Sequence, residues 1–260
     1  MTYFMALQYY AMPIESEFLL LLFGSVSIVA GALALNNWLE ADVDAVMERT
    51  RNRPTVTGSL SLSTVFMIGV LLSVTGLILL FLINGYVALY GLIGWFTYVV
   101  LYTMWTKRKF TWNTHIGSLS GAVTPLMGWS VVDTAIHHVP LSLVFIMFLW
   151  QMPHTYAIAI RKYEDYHRAG LQMLPVVKGY RVTIHRTWMY IVLLFATLFL
   201  THQFGYLFIV VFCLITCGWF AIAMRAFFVS SIERWAEELF RSSLVYLTAI
   251  FILYMVMISR

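Results

Sequence analysis

Charge is what this sequence lacks most. Only 11% of its 260 residues are Asp, Glu, Lys or Arg, while 61% are hydrophobic; a soluble domain carries about 25% charged residues. Mean hydropathy is +0.83. So little polar material cannot clothe a water-facing surface, so lipid must be the solvent for most of the exterior. That excludes a soluble enzyme and leaves no basic face for nucleic acid. Cysteine is nearly absent. Cys213 and Cys217 lie one helical turn apart, where a continuous helix does not bridge them well, so they read as free packing thiols. There is no Cys/His spacing of the zinc-binding kind. There is no period-two alternation, so a barrel is disfavoured and helices are expected. The N-terminus shows no basic segment leading to a cleavage site, so no signal peptide is expected.

What remains is a series of long apolar runs. They predict spans at about 17–37, 61–83, 86–105, 114–132, 140–160, 187–204, 206–224 and 240–258. Met1–Met12 is apolar but shorter than the roughly 20 residues a span needs. It reads as the end of a helix whose beginning lies outside this chain. The expectation is a single all-α domain over 1–260, a polytopic membrane bundle of about eight full helices plus a shortened N-terminal one.

The breaks between runs are of two kinds. Loops 38–60, 106–113, 161–186 and 225–239 are charged; those near 84–85, 133–139 and 205 are nearly uncharged. Arg49, Arg51, Arg53, Lys107, Arg108, Lys109, Arg161, Lys162, Arg168, Lys178, Arg181, Arg186, Arg225, Arg234 and Arg241 all fall on one side, leaving Arg260 opposite. The positive-inside rule places that side in the cytoplasm of a multi-pass cell-membrane protein. A wrong span count would have scattered these charges.

Two polar constellations stand out. In the first, Asn36, Glu40 and Asp44 are spaced i, i+4, i+8, and share one face if the helix continues through them. Adjacent carboxylates beside a membrane are costly unless a cation sits between them. Mg2+, bound by oxygen ligands and bridging to phosphates, meets that need. Arg49, Arg51 and Arg53 follow at once and offer bidentate donors for phosphate. Acids for a metal beside arginines for phosphate is the chemistry of diphosphate binding; the alternative is topology anchors with balancing acids. In the second, Trp150-Gln151-Met152-Pro153-His154 runs into Lys162, Glu164, Asp165 and Arg168. Glu164 and Asp165 could complete a metal site facing the first, with Lys162 and Arg168 on phosphate; the alternative is a solvated loop. His154, inside a span just past Pro153, is a candidate haem-iron ligand or base, or an interhelical hydrogen bond. His115 is a weaker candidate of the same kind, and His137 and His138 read as solvated.

Taken together, these segments resemble the UbiA-type intramembrane prenyltransferases, and within them the protoheme IX farnesyltransferases. The matching segments are Asn36 to Asp44, Met47 to Pro54, Val99 to Arg108, Gly117 to Trp129, Trp150 to His154, Asp165-Tyr166, Ala169-Gly170 and Met173 to Val177. The likeness is strong over about 20–185 and rests on helix pattern beyond. It implies a bundle of about nine helices around a central cavity, with Mg2+ held through both acidic motifs. Farnesyl diphosphate is the implied donor and a vinyl group of haem b the implied acceptor, giving haem O. By resemblance, Asn36, Glu40 and Asp44 form the first metal–diphosphate motif and Asp165 is the main acid of the second. Arg49, Arg53, Lys107 and Lys162 become diphosphate contacts, and a haem A synthase a candidate partner. The resemblance departs at the N-terminus, where the family has a longer first helix preceded by a basic segment. Two alternatives stay open: a related enzyme acting on an aromatic quinone precursor, and a non-catalytic membrane haem carrier. Clustering of the acids at one membrane face favours catalysis over transport, in which polar residues gather at mid-membrane.

Overall fold

The computed structural model describes residues 1–258; Arg260, assigned above to the outer side, lies outside the described residues. The described residues form helices and no strand. In chain order these are α1 (Thr2–Tyr9), α2 (Glu17–Leu39), α3 (Ala41–Val46), α4 (Pro54–Thr57), α5 (Leu62–Phe81) and α6 (Gly85–Phe96). There follow α7 (Asn113–Ala122), α8 (Thr124–Trp129), α9 (His138–Arg161), α10 (Tyr163–Arg168), α11 (Leu174–Leu193), α12 (Gly205–Met224) and α13 (Ile232–Ile258). Helix is the form a lipid-exposed segment must take, because it satisfies its backbone groups internally.

Among the described residues, seven helical stretches are long and apolar enough to cross a membrane. The expected span at 114–132 is instead two helices in tandem. α7 ends at Val123, and Pro125 opens α8, because proline cannot donate the bond that would continue α7. The N-terminal stretch is the short α1, packed on α8 and α13. α6 passes without interruption into a π-helical segment, Thr97–Thr106, and α11 is kinked at Gly179, where φ is 77°.

Apolar side chains fill the core and also cover the outside of the bundle, with a set of polar groups buried among them. Phe23, Leu71 and Leu214 face outward, while Asn36, Glu40, Asp44, Thr103, Thr106 and Asn113 are buried. Lipid tails are as apolar as leucine, so helix association depends on close packing and interhelical hydrogen bonds. α2 and α5 make the most extensive helix pair, and glycines let their backbones meet. A Cβ on Gly31 would stand 2.6 Å from the Ser73 backbone nitrogen and 2.8 Å from the Gly69 carbonyl. Asn84 caps the N-terminus of α6, its Oδ1 accepting from the Val87 N–H at 2.9 Å. Its Nδ2 donates to the Ser130 carbonyl at 2.8 Å, tying α6 to the end of α8.

Gly31→Ala therefore forces two backbones apart and should cost about 1–3 kcal/mol, read as a lowered melting temperature in mild detergent. Gly218→Ala, whose Cβ meets nothing within 4 Å, should leave it unchanged or raise it slightly.

Candidate active site

The C-terminal end of α2 carries the first acidic motif into the protein. The helix is interrupted at Glu40 (φ −109°, ψ 14°). Its hydrogen bonds nevertheless run on: the Glu40 N–H donates to the Asn36 carbonyl at 3.0 Å and the Asp44 N–H to the Glu40 carbonyl at 2.8 Å. The i, i+4, i+8 face therefore survives the break. Asn36, Glu40 and Asp44 line one polar chamber of about 390 Å3, together with Arg49, Arg53, Lys107, Tyr98 and Tyr166.

Glu40 is 2% and Asp44 1% exposed. Charges so deeply placed need partners. Glu40 Oε2 accepts from Lys107 Nζ at 2.6 Å and from Asn36 Nδ2 at 2.9 Å. Asp44 is paired with Arg53, and its loop is pinned by the Thr50 hydroxyl donating to the Asp44 carbonyl at 2.9 Å. Glu40 Oε1, by contrast, is buried with no hydrogen-bond partner. An unpartnered carboxylate oxygen beside an amide and a second carboxylate is a donor set suited to a hard cation such as Mg2+. Among the described residues no three His, Cys, Asp or Glu side chains already stand at metal-holding distance.

The π-helical segment supplies the facing wall. There the Lys107 N–H donates to the Tyr102 carbonyl and the Thr103 hydroxyl to the Tyr98 carbonyl, both at 2.9 Å and both five residues back. Thr103 Oγ1 in turn accepts from Asn36 Nδ2 at 3.1 Å. The widened turn thus aims Tyr98, Thr103 and Lys107 at the acids of α2. Tyr98 and Thr103 were not among the expected site residues, and a π register leaves no mark in hydrophobic periodicity. π-bulges frequently mark functional sites.

A second cavity of about 240 Å3 runs from the chamber toward the N-terminal half of α2. Its lining is apolar and small: Ile28, Val29, Ala32, Gly91, Gly94, Trp95, Gly121, Val123 and Met127 among others. Leu33 and Tyr98 line both spaces, so the polar chamber meets the apolar one at that pair.

The second acidic motif is placed differently from expectation. α9 ends at Lys162 (φ −113°, ψ 26°), and α10 starts afresh from it. That break turns Glu164, Asp165 and Lys162 into an adjoining cavity of about 370 Å3 with Glu48, Arg161, Arg168 and Glu233. Asp165 Oδ1 accepts the Glu48 N–H at 3.1 Å, so it grips the arginine loop from behind. In this structure Asp165 and Glu164 do not share the chamber with Glu40 and Asp44, and Lys162 does not reach it. Asp42 also stays out. Both its oxygens bind the Arg108 guanidinium, at 2.7 and 2.8 Å, and that pairing holds its carboxyl below the usual carboxylate range.

His154 lies between α9 and α13. Its Nδ1 is 2.7 Å from the Ser243 hydroxyl, and its ring is sandwiched by Trp150 and Phe240 at 4.7 and 5.0 Å. It lines neither cavity of the site, and the interhelical alternative describes its geometry. His115 is engaged on one side, with Nε2 2.5 Å from the Tyr190 hydroxyl, while its Nδ1 is buried without a hydrogen-bond partner. His137 is not simply solvated. It stacks on Trp129 at 4.9 Å and caps α9 by accepting the Val139 N–H at 3.3 Å. Burial lowers its basicity.

The UbiA prenyltransferase family matches residues 1–245. A protoheme IX farnesyltransferase of Oceanobacillus iheyensis is 46% identical over 235 residues, 90% of this chain and 75% of that protein. Protoheme IX farnesyltransferase 2 of Bacillus subtilis is 44% identical over 239 residues, covering 92% and 78%. Among solved structures, one of a digeranylgeranylglyceryl phosphate synthase superposes with a TM-score of 0.79 at 15% identity, covering 99% and 93% of the two chains. A UbiA homologue from Archaeoglobus fulgidus bound to GPP and Mg2+ superposes at 0.65 and 14% identity, covering 97% and 94%. At these identities the structural likeness speaks to fold.

Removing Lys107 would strand Glu40 as a buried, uncompensated charge. Lys107→Met should lower stability by about 3–5 kcal/mol, and Glu40→Gln added to it should restore much of the loss. Denaturation of the single and double variants measures both; a double variant no more stable than Lys107→Met would discount the pairing.

Proposed function

The chain belongs to the UbiA prenyltransferase family, and from that premise we propose that it transfers the farnesyl group of farnesyl diphosphate to a vinyl group of haem b, giving haem O. The observation that carries the reading is the junction at Leu33 and Tyr98. On one side lie two buried acids with three cations, and on the other an apolar cavity. A prenyl diphosphate has those two halves. The names of relatives at 44–46% identity supply the acceptor.

The chemistry follows from the need to ionise an allylic diphosphate without quenching the cation in water. Asn36, Glu40 and Asp44 would hold Mg2+; when bound, it neutralises charge developing on the leaving diphosphate. Lys107 and Arg53, which pair with Glu40 and Asp44 in this structure, would bind the phosphate oxygens, with Arg49 beside them. The C1–O bond breaks, and its electron pair leaves with diphosphate. The vinyl π electrons then form the new carbon–carbon bond. Water captures the resulting cation and loses a proton, leaving a hydroxyethylfarnesyl side chain. The apolar walls hold the chain against the acceptor and keep other water out. Val29 and Leu33 line the apolar cavity yet are half exposed on the outside of the bundle, so both greasy substrates enter sideways from the bilayer.

Asp165 is given a supporting part, fixing the Glu48 peptide and with it the loop bearing Arg49 and Arg53. The one-sided distribution of Lys and Arg supports a cell-membrane location with these loops in the cytoplasm, and the chain is read as one catalytic domain.

The purified chain, given farnesyl diphosphate, haem b and Mg2+, should yield haem O by mass spectrometry, and chelation of the metal should stop it. Asp44→Ala and Glu40→Ala should each lower the rate at least about 100-fold. Haem O formed at the wild-type rate by either folded variant would defeat the assignment of these acids. Prenylation of an aromatic acceptor with haem b untouched would move the enzyme to the quinone branch.

A further inference from the structure

The apolar cavity has a definite floor. An imagined Cβ on Gly91 marks the spot: it would lie 2.6 Å from Leu80 Cδ1, 3.6 Å from Ile28 Cδ1 and 3.7 Å from Met127 Sδ. Three side chains from α2, α5 and α8 thus close in on one glycine. Ile28, Leu80 and Met127 belong to a single buried apolar cluster with Leu21 and Val87, so on that side the floor is backed by packed core.

At Met127 the backing is different. A further cavity of about 310 Å3 lies beyond it on the outer side, lined by Tyr3, Leu21, Ser25, Thr124, Met127 and Met147 among others. Met127 and Thr124 line this space and the apolar cavity alike. They are the partition between the two. Thr124 is fixed, its hydroxyl donating to the Gly121 carbonyl at 2.8 Å. Met127 is a flexible, unbranched side chain whose sulfur points at the floor.

We propose that Met127, seated against Thr124, is the gauge that sets the length of the prenyl donor. The inference rests on the reading that the apolar cavity receives the prenyl chain. With its diphosphate held at Glu40 and Asp44, the chain runs past Tyr98 and Leu33 and ends against the Met127 side chain. A donor one isoprene unit longer must displace that thioether or fold back. Trimming Met127 joins the two cavities and gives the extra unit room beside Tyr3 and Leu21; enlarging it narrows the cavity beside Gly91. Met127 touches neither the acids nor the cations of the chamber, so the change falls on length and not on diphosphate binding.

The test measures competitive binding of geranyl, farnesyl and geranylgeranyl thiolodiphosphates, which do not ionise readily, to the full chain in lipid nanodiscs with Mg2+. Met127→Ala should raise the affinity for the geranylgeranyl compound relative to the farnesyl one by about tenfold or more. Met127→Trp should shift the ranking toward the geranyl compound. Should Met127→Ala not fold, Met127→Val should show the same direction to a smaller extent. A ranking identical to wild type in the folded variants would overturn the proposal. Because the readout needs no acceptor, a shifted ranking in a protein that fails to farnesylate haem b would sink the acceptor assignment and leave the gauge standing.

Discussion

Two carboxylates buried at the edge of a bilayer are the constraint around which this molecule is organised. Glu40 and Asp44 stand almost wholly out of water, where an unpaired charge costs several kcal/mol even after relaxation. Lys107 and Arg53 meet that cost, one from the π-helical segment and one from the loop after α3. The Lys107–Glu40 pair joins parts of the chain that local propensity would not bring together. The site is thus held closed by charges that substrate would redistribute: a metal ion for the acids, phosphate oxygens for the cations. The two ion pairs hold these four side chains together at one end of the bundle.

Glycine-mediated packing makes this geometry precise enough to be useful. Gly31 and Gly69 let α2 and α5 touch through their backbones, which fixes the axis of the helix that presents Asn36 and Glu40. From the other side Thr103 bonds Asn36, so the amide is held from both helices and its orientation toward Glu40 is set. The apolar cavity runs down the wall made by the same two elements, α2 and the helix of Gly91 and Gly94. Head group and tail of a substrate would therefore be positioned by one rigid pair.

Much of this was legible in the sequence, for reasons that can be named. Membrane spans announce themselves because lipid tolerates so little charge, and the placement of Lys and Arg reported their alternation independently. The grouping of Asn36, Glu40, Asp44, Arg49 and Arg53 was legible because all five lie within eighteen residues of one another, where helical spacing governs which side chains meet. Lys107 came from resemblance alone. Its partnership with Glu40 depends on five-residue turns, and period-based reading assumes 3.6. The break of span 114–132 could have been read from Pro125, a proline within an apolar run. The turning of Glu164 and Asp165 toward Glu48 could not. It depends on one backbone conformation at Lys162 and on tertiary neighbours, Tyr180 and Glu233, that lie far away in sequence.

His154 shows why residue type is weaker than placement as a guide. A histidine beside a proline inside a membrane helix invites a functional reading, since polar groups at that depth are expensive. Yet that expense can be met by a neighbour as well as by a ligand. Ser243 satisfies Nδ1, and Trp150 and Phe240 cover the ring faces, so the histidine knits α9 to α13. Glu40 is the opposite case. It has two cationic or amide partners on one oxygen and still leaves the other buried and bare. What separates Glu40 from His154 is a buried, unpartnered carboxylate oxygen in a chamber that also holds a second acid, and such an oxygen points to something the folded chain alone does not supply.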